Sequence, residues 1–178
     1  MKLLAEIYNK DIGLLNRNIL NYQLRKVARA VLFNNNKIAL MFVSKNNYHK
    51  LTGGGLDKNE TPVQALIREI DEETGCDLEL KKDIGIIIEY RDNIKLLQIS
   101  YCYLANIKGE LKSMKLEKNE IEEGFQLKWI NLNQAINLLK KDKPKINEGK
   151  FIVKRRSIRL NRNIFIRKCS RQSSLSDL

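Results

Sequence analysis

Two apolar runs, "RKVARAVLF" and "KIALMFVS", stand either side of three asparagines. Val27, Ala30, Val31, Leu32 and Phe33 suit a strand, and Asn tolerates the positive φ of a tight turn, so the two runs are expected to pair as antiparallel strands. The later runs "DLELKKDIGIIIEYR" and "KLLQISYCYLANIKG" are rich in β-branched and aromatic residues, and "FQLKWINL" offers another strand ending near Asn131. Helical spacing appears twice. The first helix begins at Pro62, with Thr61 as N-cap, Gln64 as its N3 partner and Gly75 as the stop. At about 100° per residue, Val63, Ile67, Ile70 and Thr74 share a face expected to pack, while Ala65, Glu69, Glu72 and Glu73 share another. The second helix, "LNQAINLLKK", sets Ala135, Leu138 and Leu139 on one side. A strand-rich sheet with two helices, the first in mid-chain, predicts an α/β (α+β) domain packed in layers.

The first helix carries an anomaly. Glu69, Asp71, Glu72 and Glu73 have only Arg68 beside them, whereas a solvated helix mixes its signs to gain i,i+4 pairs. Glu69, Glu72 and Glu73 stand at i, i+3 and i+4, within reach of one another, an arrangement that hard divalent cations such as Mg²⁺ use. Asp71 points elsewhere and reads as surface charge. Ahead of the helix, Gly53, Gly54 and Gly55 let the backbone come close to a metal or a phosphate, and form the expected substrate-phosphate loop.

Gly54, Glu60, Arg68, Glu69, Ile70, Glu72, Glu73 and Gly75 follow the spacing G-x5-E-x7-R-E-U-x-E-E-x-G-U, which resembles the box of the Nudix (MutT-type) hydrolases. Cys76 stands where a bulky aliphatic residue is usual, and Thr52 where relatives often have Pro; neither change touches a carboxylate. The resemblance covers roughly residues 25–141. It implies a Nudix-like mixed sheet sandwiched between helices, and hydrolysis of a pyrophosphate bond in a nucleoside diphosphate-X or nucleoside triphosphate by attack of water on phosphorus. Implied metal ligands are Glu69, Glu72 and Glu73 with the Gly53 carbonyl, the cofactor being Mg²⁺ or Mn²⁺. Glu60 supports the cluster, and Arg68 orients Glu69 by a charge-assisted hydrogen bond. The general base is a box glutamate or an acid of the loop before Trp129, where Glu120, Glu122 and Glu123 are available; Glu123 is the favoured loop contributor. Tyr48, Tyr90, Tyr101, Tyr103 and Trp129 are read as packing residues, and the single His49 is not assigned to substrate.

Charge and composition narrow the rest. The 178 residues carry a net charge of +12, but residues 1–139 hold 20 Lys/Arg against 18 Asp/Glu, and residues 140–178 hold 13 against 3. The excess is therefore C-terminal. Expected domains are a segment 1–24 packing on the domain, a Nudix domain 25–148, and a basic tail 149–178 that is partly disordered. Such a tail is a solvated end or a polyanion contact, so removal of pyrophosphate or a cap from an RNA 5′ end is the alternative activity, with RNA as partner. A non-catalytic Nudix-fold regulatory module is the other alternative; three mutually repelling carboxylates argue against it. A homodimer is compatible with either enzyme. Glu6 breaks the apolar run of the N-terminus, so a membrane span is not expected and the cytoplasm is the expected compartment. Three cysteines, Cys76, Cys102 and Cys169, without a CxxC pair predict neither disulfides nor a zinc site.

Overall fold

A computed structural model describes residues 1–142. The expected tail 149–178 and the end of the expected domain lie outside the described residues. Seven strands form one mixed sheet: β1 (Leu3–Ile7), β2 (Gln23–Asn34), β3 (Lys37–Val43), β4 (Tyr48–Leu51), β5 (Asp77–Arg91), β6 (Leu96–Lys108) and β7 (Phe125–Asn131). The order is β1-β5-β6-β2-β3-β4, with β7 also on β3. Three α-helices accompany it: α1 (Pro62–Thr74), the short α2 (Lys118–Glu122) and α3 (Leu132–Lys141).

The asparagine turn is there, with Asn35 at φ 51°, but β2 and β3 pair only beside it, at Phe33–Ile38 and Asn34–Lys37. Beyond the turn β2 runs parallel to β6 from Gln23 to Phe33, and β3 pairs with β4 and β7. The hairpin is thus a fork, and the glycine stretch lies along β2 inside it. Isolated bridges Ala30–Thr52 and Val27–Gly55 tie that stretch to β2. Residues 1–24 add an element that periodicity did not disclose: five residues form β1, parallel to β5.

Alternation along β2 divides the core in two. Val31, with Ile38, Leu40, Ile87 and Cys102, faces Ala135 and Leu139 of α3 on one side of the sheet. Ala28, Ala30 and Leu32, with Ala39 and Tyr103, face Ala65, Leu66 and Ile70 of α1 on the other. Helices on both faces are the layered arrangement expected. Alanines on β2 leave room for α1 to approach, and burying Leu66 and Ile70 stabilises the contact by roughly 1.5–3 kcal/mol each. Thr61 and Gln64 form the capping box, and Gly75, at φ 64°, ends the helix with its N–H on the Asp71 carbonyl at 2.8 Å.

The packing face of α1 differs from the expected one. Ile67 is half exposed, whereas Ala65, Leu66 and Glu73 are fully buried with Ile70. The buried stripe is rotated toward Glu73 because that carboxylate is drawn beneath the glycine loop. On α3, Leu138 is likewise outside the buried pair Ala135 and Leu139.

Candidate active site

Arg68 is the hub of the box. Its Nε and Nη2 donate to the two oxygens of Glu60, each at 3.0 Å, Nη1 donates to Glu69 Oε1 and Glu72 Oε2, each at 3.1 Å, and Nη2 donates to the Gly55 carbonyl at 3.0 Å. These contacts use the whole fork of a guanidinium, which fixes three carboxylates and the loop in one geometry. The hydrogen bond from Arg68 holds Glu60 below the usual carboxylate range, with burial working against it. Arg68 itself is raised above its ordinary value, first by Glu60.

Glu69 and Glu73 occupy deeper positions. Burial, then the neighbouring Glu73 charge, pushes the Glu69 carboxyl up, while Arg68 and Arg29 pull it down. A Cβ on Gly54 would meet the Glu69 carboxylate itself, so only glycine leaves the place that this side chain fills. Gly53 has φ 111°, a Cβ there would meet the Ala28 carbonyl, and its N–H donates to Glu73 Oε2 at 2.7 Å. Lys50 on β4 brings Nζ to 2.8 Å from the buried Glu73 Oε1, a desolvated ion pair. The ammonium also lies 4.1 Å from the centroid of the Phe125 ring and 3.9 Å from Glu120 Oε1. Burial lowers the Lys50 pKa, and Glu73 partly restores it.

The expected residues are thus gathered by α1, the glycine loop and β4. Glu60, Arg68, Glu69 and Glu72 form one network, and Glu73 belongs to a second, with Gly53 and Lys50. Among the described residues no three Asp, Glu, His or Cys side chains converge closely enough to hold a metal ion, because Arg68 and Lys50 stand between the carboxylates. The donors themselves suit Mg²⁺ or Mn²⁺: they are hard carboxylate oxygens carried by one helix, Glu69, Glu72 and Glu73 on α1. Asp71 pairs with Lys115 at the surface, as its position suggested.

In the loop before β7 the acid that the structure brings to this cluster is Glu120. Its side chain is largely buried beside Lys50, and burial raises its pKa. Glu123 caps α2, with its N–H on the Asn119 carbonyl and its own carbonyl accepting from Lys45. Counting back from Trp129 does not single out Glu120, because its approach to Lys50 depends on how α2 folds the loop against β4. Lys50 was also missed; the sign of it in the sequence is a cation three residues before the first glycine. The aromatics behave as packing residues: Tyr101, Tyr103 and Trp129 join the α1 side of the core, and Tyr90 stacks on Tyr8 with centroids 4.6 Å apart. His49 is held by Asp142 through its backbone N–H at 2.6 Å and its Nδ1 at 2.8 Å.

The NUDIX domain profile matches residues 23–151. The chain belongs to the Nudix family. Nudix hydrolase 13, mitochondrial, of Arabidopsis thaliana is 26% identical over 110 residues, covering 58% of this chain and 54% of that protein. The chain thus spans about half the length of that relative. Among solved structures, the NUDIX hydrolase from Nitrosomonas europaea superimposes with a TM-score of 0.55 at 17% identity, over 74% of this chain and 88% of that one. The MutT NUDIX hydrolase from Burkholderia pseudomallei does so with a TM-score of 0.51 at 21% identity, over 75% and 98%. At such identity these two establish the Nudix fold, and the box residues above are its carboxylate-bearing part. Among the described residues no helix is long and apolar enough to cross a membrane.

Proposed function

We propose that this Nudix domain hydrolyses a pyrophosphate bond in a nucleoside diphosphate-X or nucleoside triphosphate. The observation that carries the reading is the pair of carboxylate networks on α1, locked by Arg68 and by the Gly53 N–H onto one loop. A pure binding module for a phosphate anion has no use for so many acids at the mouth of its loop, since each repels the ligand. Glu69, Glu72, Glu73 and the Gly53 carbonyl would hold Mg²⁺ or Mn²⁺, which supplies charge neutralisation of the pyrophosphate and activation of water.

The chain's own contribution is positioning. Arg68 keeps Glu69 and Glu72 from swinging apart, and Glu60 keeps Arg68 in place. Gly54 lets Glu69 lie against the loop, and the Gly53 N–H orients Glu73. Of the loop acids we read Glu120, beside Lys50, as the one whose carboxylate would accept the proton of the attacking water; a carboxyl raised by burial is a better acceptor near neutral pH than a solvated one. The test is a screen of nucleoside triphosphates, dinucleoside polyphosphates, nucleotide sugars and triphosphorylated RNA with Mg²⁺ or Mn²⁺ in ¹⁸O-water. Cleavage between phosphorus atoms with label on a product phosphate is expected. Absence of turnover on every class by folded protein would overturn the reading, and turnover of the RNA alone would select the 5′-end activity.

A further inference from the structure

The Lys50–Glu73 pair presents a conflict that the hydrolase reading does not resolve. Glu73 is fully buried, its Oε2 accepts from the Gly53 N–H, and its other oxygen faces Lys50. An ammonium 2.8 Å from that oxygen occupies the place where a divalent cation would have to sit to use it. We propose that Lys50 is a displaceable internal counter-ion: it neutralises Glu73 until a divalent cation takes that carboxylate, and then binds a phosphate oxygen of the substrate.

Three features favour transfer to substrate over release to water. The Lys50 side chain is 13% exposed and lies against the Phe125 ring, so its charge stays beside the glycine loop when Glu73 is taken from it. Arg29 on β2, whose Nη1 donates to the Leu51 carbonyl at 3.4 Å, acts electrostatically on both Lys50 and Glu69, so a second cation is near the pair. A pyrophosphate, with several anionic oxygens, is the ligand that satisfies both sides together. Glu120, 3.9 Å away, is the competing acceptor within the protein. Metal and substrate would then be coupled: loading the first frees the cation that receives the second.

The proposal rests on the hydrolase reading, and its test separates the two. Mg²⁺ affinity, and affinity for imidodiphosphate in the presence of Mg²⁺, are measured by calorimetry on the full chain and on Lys50→Met. Loss of the competing ammonium is expected to tighten Mg²⁺ roughly tenfold and to weaken imidodiphosphate roughly tenfold, opposite signs that a merely structural lysine does not produce. In the wild-type chain, whatever the fate of the variant, acetylation of Lys50 followed by mass spectrometry is expected to speed up on adding Mg²⁺ and slow again with imidodiphosphate. Unchanged Lys50 reactivity on adding Mg²⁺, or two affinities that move together or not at all, would overturn the proposal. Wild-type protein that binds no Mg²⁺ would overturn the hydrolase reading with it, whereas Mg²⁺-dependent turnover without the Lys50 signature removes this proposal alone.

Discussion

Arg68 and Lys50 solve the same problem, clustered carboxylates, in opposite ways. Arg68 is 29% exposed and shares its charge among Glu60, Glu69 and Glu72 through a planar fork. Lys50 is a single ammonium 2.8 Å from a carboxylate that is 1% exposed, with Glu120 farther off at 3.9 Å. A partly solvated network can lose one member and redistribute its hydrogen bonds, but a buried pair that loses one member leaves an uncompensated charge. The difference suggests a division of labour between a rigid rim that fixes geometry and a buried pair that responds to what binds.

Function tests the comparison most severely. Glu72→Gln and Glu73→Gln are each expected to lower turnover by about 10²–10⁴ with the fold retained, since both remove an anionic ligand while keeping shape. Wild-type turnover at saturating Mg²⁺ in either variant would remove that residue from the site. Stability without metal should then separate the two networks. Glu73→Gln leaves the Lys50 ammonium buried without its partner and is expected to cost about 3 kcal/mol in urea unfolding. Glu72→Gln, at the exposed rim, should cost less than about 1 kcal/mol. Equal losses would mean that the two cations are not differently embedded.

The two glycines sharpen the same contrast on the backbone side. Gly53→Ala places a Cβ on the Ala28 carbonyl at a left-handed φ of 111°, so a loss of about 2 kcal/mol is expected by thermal or urea unfolding. Gly54→Ala meets the movable end of Glu69 instead; stability should stay within about 1 kcal/mol while turnover falls. A Gly54→Ala variant with full turnover would show that the seat of Glu69 is unimportant. A modest effect that depends on pH is expected at Glu60, whose pKa is lowered in the folded chain by Arg68. A depressed carboxyl contributes stability above its unfolded pKa and loses it as pH falls through the folded value. Glu60→Gln should therefore be less stable than wild type by roughly 1 kcal/mol at pH 7, allowing for solvent screening, and equal to it near the acid limit. A difference independent of pH would assign Glu60 a packing role only.

Periodicity, capping residues and the box spacing were enough to locate α1 and its ends, the long strands β5 and β6, and the set Glu60, Arg68, Glu69, Glu72 and Glu73. Each of those signals is local: a cap, an alternation or a helical offset is a property of a few consecutive residues. Which face of α1 is buried was not local, and the expectation for Ile67 and Glu73 was reversed by where β2 and the glycine loop lie across the helix. Nor was the presence of β1 and β4, strands of five and four residues whose apolar content is too short to announce itself away from β5 and β3. The nearness of Glu120 to Lys50, and the meeting of Lys50 with Glu73, depend on α2 and on the fork between β2 and β3. The sequence alone thus determined the inventory of charged groups and the helix that carries most of them. Only the tertiary structure decided which charges are desolvated and by which cation each is met, because desolvation is set by atoms that are distant along the chain.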